Sequence, residues 1–250
     1  MTMNFTILRF DSLDSTNTEA LRQARQGARE GLCVIANQQT AGRGRHGRAW
    51  ESPQAEGLYL SFVLRPTLAS EDLPLITLMT GVAVYDTLVE IGLKPDIKWP
   101  NDVLVNERKI SGILAEMTED RSTPAIVVGI GVNLTSKKFP SEIAETATSI
   151  ESELKRNITA ADLETALLKY LGYFYGILNE SGGSRAIVDE WRRRSTYADG
   201  KLVRVAFENG STTGITDGIE PNGALRVRSS DGSVSIIQAG DVQQLRERTD

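Results

Sequence analysis

The chain has 250 residues, 40% hydrophobic and 24% charged, enough for one large domain, or a large and a small one, around a real core. A net charge of −5 argues against the broad electropositive footprint of a nucleic-acid binder, and one cysteine with one histidine excludes an internal disulfide and any multi-cysteine or multi-histidine metal site. No apolar run approaches the ~18 residues of a membrane span and Met1-Thr2-Met3-Asn4-Phe5 does not open a signal peptide, so a cytoplasmic protein with no membrane partner is expected.

Phe5 to Phe10 reads as a first strand. Thr16-x-x-Glu19 then fits a capping box, which predicts a helix from Asn17 to Gln26 stopped by Gly27. Ser15, Thr16 and Asn17 have two readings: plain capping, or polar groups at a helix N-terminus that can hydrogen-bond a ligand head. Leu32 to Gln38 is a buried strand, and Cys33 within its apolar run reads as a core residue rather than a nucleophile.

That strand feeds Gln38-Gln39-Thr40-Ala41-Gly42-Arg43-Gly44-Arg45-His46-Gly47-Arg48-Ala49-Trp50, in which three glycines alternate with three arginines. Such glycine density disfavours a helix and suits a loop that approaches a ligand closely. If Gly42 to Arg45 runs extended, Arg43 and Arg45 project to one side and present two guanidinium forks, donors matched to phosphate and carboxylate. A solvated basic surface loop is the plain alternative. Gly42-x-Gly44-x-x-Gly47 satisfies the bare dinucleotide pattern, but Trp50-Glu51-Ser52-Pro53 is no helix start. His46, flanked by arginine and glycine, lacks the rigid orientation a Ser-His-Asp base needs.

Gly57 to Leu64 is another strand, and Asp72 is predicted to cap a long helix with Pro74 in its first turn and Gly92 closing it. Leu75, Leu78, Met79, Val82, Tyr85 and Leu88-Val89 form its core stripe. In Lys98-Trp99-Pro100-Asn101-Asp102 the proline is expected to hold Trp99 extended and set how the polar pair is presented; a core aromatic followed by a turn is the alternative. Val103 to Glu116 reads as a hairpin turning at Asn106-Glu107, with Lys109, Ser111 and Ile113 on one face and Ile110, Gly112 and Leu114 on the other. Lys109 is then either an edge charge with its head in water or an ammonium aimed into a cleft. Ala125 to Leu134, apolar on both faces, reads as a central strand.

Pro140 to Ile150 is irregular and polar, with room for one short helix. Thr159 caps a helix to Asn179 whose buried stripe is Leu163, Ala166-Leu167, Tyr170-Leu171 and Phe174, and Ser184 to Arg194 is a further helix with three closing arginines that suit its C-terminus. From Lys201 onward, short strands alternate with the turn signals Asn209-Gly210, Asp217-Gly218, Asn222-Gly223 and Asp231-Gly232, which predicts a small antiparallel barrel docked on the larger domain.

Gly42 to Trp50 closely resembles the glycine- and arginine-rich adenylate loop of biotin protein ligases. Asp14-Ser15-Thr16-Asn17 is similar to that family's segment contacting the ureido ring of biotin, and Lys98-Trp99-Pro100-Asn101-Asp102 to a motif on the nucleotide side. Lys109-Ile110-Ser111-Gly112-Ile113-Leu114 and Gly129-Ile130-Gly131-Val132-Asn133-Leu134 resemble two further motifs, and the glycine of the first leaves room for biotin. The resemblance spans almost the whole chain and implies an α+β fold: a class II aminoacyl-tRNA synthetase and biotin synthetase-like mixed sheet with helices over residues 1–194, then an SH3-like β-barrel over 195–250.

By the same resemblance the chain activates biotin with ATP to biotinyl-5′-AMP and passes biotin to a lysine of a biotin carboxyl carrier protein domain of a carboxylase. Lys109, Arg45 and Arg48 would be catalytic. Ser15, Thr16, Asn17, Gln39, Gly42, Arg43, Arg45, Lys109, Gly112 and Leu114 would hold biotin; Arg43, Arg48, Trp50, Lys98, Asn101, Asp102, Lys109 and Asn133 would hold ATP or the adenylate, with Mg2+ bridging phosphate oxygens. Some members carry an N-terminal helix-turn-helix and repress genes; the ureido-type segment lies so near residue 1 that no operator binding is expected. Homodimerisation through a sheet edge is another assembly the family uses. Lipoate ligases share the fold and adenylation logic, although the spelling of Lys98 to Asp102 favours biotin, and a noncatalytic binding module is the reading from a different class.

Overall fold

The computed structural model describes residues 3–118, 124–135, 139–207 and 210–244. Seven strands, β1 (Thr6–Phe10), β2 (Leu32–Ala36), β3 (Gly57–Leu64), β4 (Pro95–Lys98), β5 (Asp102–Val105), β6 (Arg108–Met117) and β7 (Ile126–Asn133), form one mixed sheet in the order β1-β2-β3-β7-β6-β5-β4. Only β1 and β2 pair in parallel; the other neighbours are antiparallel. The sequence of β7 explains its central place. Ile126, Val128, Ile130 and Val132 face the main core, and on the other side Val127 gives way to Gly129 and Gly131.

The two faces of the sheet are therefore covered differently. Helices α2 (Pro74–Glu90), α4 (Ala160–Leu178) and α5 (Gly183–Arg193) pack on the main-core side. On the opposite side α1 (Thr16–Arg25) sets Ala20, Leu21 and Ala24 against Val34, Val63 and Val127 and covers one end only. Beyond α1, whose Asn17 reaches Gly129, no helix among the described residues lies over Gly112 and Gly131. That gap is where a site forms.

Several local expectations need correction. Ser15, not Thr16, sits at the N-cap of α1, with no side-chain cap bond, and Glu19 accepts from Arg22 and Gln23 instead of closing a capping box. Asp72 ends a short 3-10 turn, and Leu73 precedes Pro74 at the start of α2. Nearly every side of α2 is buried while Val89 faces solvent, because the helix is packed by the sheet, α4 and α5 together. Ser70–Glu90 is in fact long and apolar enough, at mean hydropathy 1.3, to span a membrane by composition alone; burial in the core accounts for that character. Thr159 does cap α4, through a full box with Asp162.

The hairpin turn falls at Asn106-Glu107, where both residues take positive φ (51° and 61°). Its register shifts, however: Val103 pairs with Ser111 but Leu104 with Lys109, so Ile110 is an extra residue on β6. This bulge moves Lys109 onto the face of Gly112 and Leu114, overturning the strict alternation read from sequence. The Trp99–Pro100 peptide is cis, and the buried Trp99 indole donates to the carbonyl of Gly223 at 2.9 Å.

Gly223 belongs to the second sheet, formed by β8 (Asp199–Phe207), β9 (Gly210–Ile219), β10 (Leu225–Arg228), β11 (Val234–Ile237) and β12 (Asp241–Gln244) in the order β11-β10-β9-β8-β12, all antiparallel. No pairing of β11 with β12 closes it into a barrel among the described residues. Asn222-Gly223 and Asp231-Gly232 are turns as predicted, whereas Asp217-Gly218 lies inside β9 at register shifts against β8 and β10. Of Asn209-Gly210, Asn209 lies outside the described residues. Gly223 (φ +88°) docks the sheet on α2: a Cβ there would sit 3.1 Å and 3.3 Å from Leu78 and Leu75 methyls.

The arginines closing α5 act chiefly as ion-pair partners. Arg194 donates to both carboxylate oxygens of Asp86 on α2 (2.7 Å and 2.9 Å) and also engages Glu190, while Arg192 reaches Asp199. Both members of the Arg194–Asp86 pair are only 17% exposed, so Arg194→Ala strands a mostly buried carboxylate. The expected loss is roughly 2 kcal/mol of unfolding free energy, read as a lower urea midpoint at unchanged slope.

Candidate active site

A cavity of about 790 Å³ opens over the half of the sheet that α1 leaves uncovered. Its floor lacks side chains for a steric reason. A Cβ on Gly131 would lie 2.4 Å from the Trp50 indole, one on Gly112 2.9 Å from the same ring, and one on Gly129 2.2 Å from Asn17 Oδ1. The flat Trp50 indole lies directly on the bare backbone of Gly112 and Gly131.

The N-terminus of α1 forms one wall. Thr16 N donates to Gln39 Oε1 at 2.8 Å and the Thr16 hydroxyl reaches the same oxygen at 3.1 Å; Gln39 Nε2 in turn donates to Ser52 Oγ at 2.7 Å. The buried Ser61 Oγ lies 2.7 Å from Thr16 Oγ1 and 2.6 Å from Asn17 Oδ1. Asn17 Nδ2 donates to Glu116 at 2.7 Å and to the Leu114 carbonyl at 3.2 Å. Thr16, Asn17, Ser52 and Ser61 are buried and Gln39 and Glu116 half-buried, and their hydrogen bonds interlock them.

The glycine-arginine loop forms the second wall; it is extended at Arg43 and Gly44 but turns at Arg45, so the condition of an extended run from Gly42 to Arg45 is not met. Arg43 bridges Ala49 across a small hairpin whose tip is a 3-10 turn at Arg45–Gly47, with His46 exposed at φ 54°. Arg43 and Arg45 consequently diverge. Arg43 donates to Glu116 at 2.9 Å, whereas Arg45 donates to Asn101 Oδ1 and the Gly240 carbonyl, both at 3.1 Å, and pairs with Asp241 at 3.4 Å. Arg48 also engages Asp241. Burial lowers the pKa of Arg45, while Asp241 and Asp102 raise it and Arg48 lowers it; as a guanidinium it keeps its charge.

Lys109 completes the cationic lining. Its Nζ lies 2.6 Å from Asp102 Oδ1 and 5.3 Å from the Trp50 ring centroid, and Lys98 approaches the other Asp102 oxygen at 3.8 Å. Asn101 donates to the Ile113 carbonyl at 3.0 Å, tying this segment to β6. Asn133 Nδ2 donates to the Thr148 carbonyl at 3.0 Å and lies 3.5 Å from that of Lys109. The Trp50 Nε1 is buried without a hydrogen-bond partner among the described residues.

Of the residues singled out by sequence, Ser15, Thr16, Asn17, Gln39, Arg43, Arg45, Arg48, Trp50, Lys98, Asn101, Asp102, Lys109, Gly112, Leu114 and Asn133 all line this one cavity. Gly42 does not. It packs behind the loop, where a Cβ would meet the Trp50 carbonyl at 2.3 Å and Ser52 Oγ at 2.7 Å. Sequence reasoning missed the 139–147 segment, which contributes Phe139, Glu142, Ile143 and Thr146, and the wall of Tyr197, Asp241 and Gln244 from beyond α5. Burial pushes the Tyr197 phenol up to about 12, so it stays protonated at neutral pH.

Trp99 and Trp191 are fully buried, so the Trp50 indole dominates any quenchable fluorescence. Gly131→Ala puts a methyl where that indole rests, and the expected outcome is a steeper acrylamide-quenching slope than wild type. Trp50→Phe should abolish the difference between the two proteins.

Residues 9–133 match the Biotin/lipoate A/B protein ligase family and residues 200–244 the Biotin protein ligase C terminal domain. The chain is 34% identical over 240 residues to the bifunctional ligase/repressor BirA of Bacillus subtilis, covering 92% of this chain and 71% of that one. It is 33% identical over 244 residues to the biotin–[acetyl-CoA-carboxylase] ligase of Mycobacterium tuberculosis, covering 93% and 86%. The fold superposes on the Aquifex aeolicus biotin protein ligase in complex with biotin and ATP with a TM-score of 0.84 at 28% identity, covering 97% of this chain and 99% of that one. With both family domains matched and relatives aligned over nearly its whole length, the chain belongs to the biotin protein ligase family of enzymes.

Proposed function

We propose that this chain condenses biotin with ATP and transfers the biotinyl group to a lysine of a biotin carboxyl carrier protein domain. The observation that carries the proposal is the convergence of Arg43, Arg45, Arg48 and Lys109 around a glycine-floored cavity in a member of this family. A carboxylate is a poor acylating group until it has a better leaving group. In the first step a biotin carboxylate oxygen bonds to the α-phosphorus of ATP and the bond to pyrophosphate breaks, giving biotinyl-AMP. In the second, a lysine amine bonds to the acyl carbon, loses a proton, and AMP departs with the bridging oxygen. Neither step uses an enzyme nucleophile; Cys33 is buried in β2 with its thiol pKa raised by burial.

What the protein supplies is positioning and charge stabilisation. Gly112 and Gly131, covered here by the Trp50 indole, would seat a planar group once that ring swings off them, and Ser15, Thr16 and Gln39 would hydrogen-bond the ureido ring. Arg43, Arg45 and Arg48 would bind the biotin carboxyl and phosphates, exchanging Glu116 and Asp241 for ligand oxygens. Lys109 would leave Asp102 for the α-phosphate, and Trp50 would cover the adenylate. Asp102 is the lining carboxylate between Lys98 and Lys109 that would help hold a Mg2+ beside the phosphates. When bound there it neutralises phosphate charge. ATP is an intracellular substrate, so a cytoplasmic protein goes with this chemistry.

Losing one charge-assisted contact of about 1.5–3 kcal/mol at the reacting phosphate slows the step at least tenfold. Lys109→Ala is accordingly expected to cut biotin-dependent pyrophosphate release by about tenfold or more, and an undiminished rate would remove Lys109 from the mechanism. Operator binding forms no part of the proposal, given the net charge of −5; salt-dependent affinity for a specific duplex would contradict that.

A further inference from the structure

The carboxylate of Glu153, on the short helix α3 (Ile150–Leu154), lies outside the cavity and is only 7% exposed. It accepts from three donors: Asn106 Nδ2 at 2.7 Å, Arg108 Nη2 at 2.6 Å and Thr148 Oγ1 at 2.5 Å. Two of these sit in the β5–β6 hairpin immediately before Lys109, and the third lies in the segment running alongside it.

That segment supports Lys109 on the side where β7 does not; on the other side Lys109 pairs with Leu104 of β5. The last β6–β7 pair toward the hairpin is Ser111 with Val132, so β7 gives no further ladder partner to Lys109, which also sits at the bulge. Residues 146–148 take the place of β7 there. Lys109 N donates to the Thr146 carbonyl at 2.8 Å, Thr148 N donates to the Lys109 carbonyl at 2.9 Å, and Lys109 and Ala147 form an isolated parallel bridge. A bulge is a weakly specified stretch of strand, and its side-chain direction follows from whatever fixes the peptide units on either side.

We propose that Glu153 is a positioning residue for Lys109: by holding Arg108 and Thr148 with one carboxylate it locks the two backbone segments that aim the ammonium into the cavity. The inference rests on the proposed role of Lys109 at the reacting phosphate. Glu153 itself touches neither the cavity nor the Lys109 side chain, so it acts on the reaction only through the segments it holds, and the double-mutant cycle isolates the part carried by Lys109.

The test is a double-mutant cycle on single-turnover formation of biotinyl-AMP, using Glu153→Gln, Lys109→Ala and both together. The glutamine keeps the size of the side chain, and Thr148→Val serves as a second probe that removes one donor without touching Glu153. In the presence of Lys109, Glu153→Gln is expected to slow the reaction at saturating substrates roughly tenfold and Thr148→Val several-fold, with the KM for biotin within about twofold of wild type. In the Lys109→Ala background each should slow it less than about twofold. A full rate in both probes, or the same loss with and without Lys109, overturns the positioning role. An unimpaired Lys109→Ala single variant instead overturns the role of Lys109 itself, so the two failures are distinguishable.

Discussion

The molecule depends on bare backbone at the middle of its sheet. Gly112, Gly129 and Gly131 lie on the face opposite α2, α4 and α5, and at each a single methyl would collide with Trp50 or Asn17. The same strands carry Ile110, Ile113, Val128, Ile130 and Val132 on the other face, packed into the main core. One pair of strands thus anchors the hydrophobic core and provides the bare floor on which the Trp50 indole and Asn17 rest. Because the strands of the floor pack into the main core on their other face, the walls are referenced to a rigid surface.

Those walls are cationic, yet each cation described here already has a carboxylate: Arg43 has Glu116, Arg45 and Arg48 have Asp241, and Lys109 has Asp102. Pairing of this kind keeps several like charges together in a partly buried cleft, where unpaired they would be costly. It also means that an anionic ligand gains by exchange rather than by capturing free charge, so its binding free energy is smaller than a count of arginines suggests. The Asp241 contacts draw the second sheet into the site together with Tyr197 and Gln244. Trp99, Gly223 and Leu78 hold that sheet in place from behind.

Much of this is legible in the residues themselves. Apolar periodicity and caps locate β3, β7 and α4 to within a residue or two, and the polar and glycine motifs supply fifteen residues of a single cavity wall. What stays hidden follows from long-range pairing and from breaks in periodicity. Lys109 falls on the wrong face by simple alternation because nothing in Lys109-Ile110-Ser111 announces the extra residue that the partner strand imposes. Thr16-x-x-Glu19 reads as a cap until Gln39 and Ser61 are seen to take the threonine hydroxyl. Arg43 and Arg45 look paired until their separate partners, Glu116 and Asp241, are placed by strands far along the chain. Phe139, Glu142 and Asp241 belong to no motif and become neighbours of the loop only through the fold.

The central claim is that this cavity makes a mixed anhydride from biotin and ATP. It is tested most directly by incubating the protein with ATP and either biotin or lipoate, then identifying the adenylate by mass spectrometry before any carrier is added. The account predicts biotinyl-AMP at about one equivalent per chain with matching pyrophosphate, and no comparable lipoyl-AMP. Absence of biotinyl-AMP, or an equal yield of the lipoyl adenylate, would contradict it.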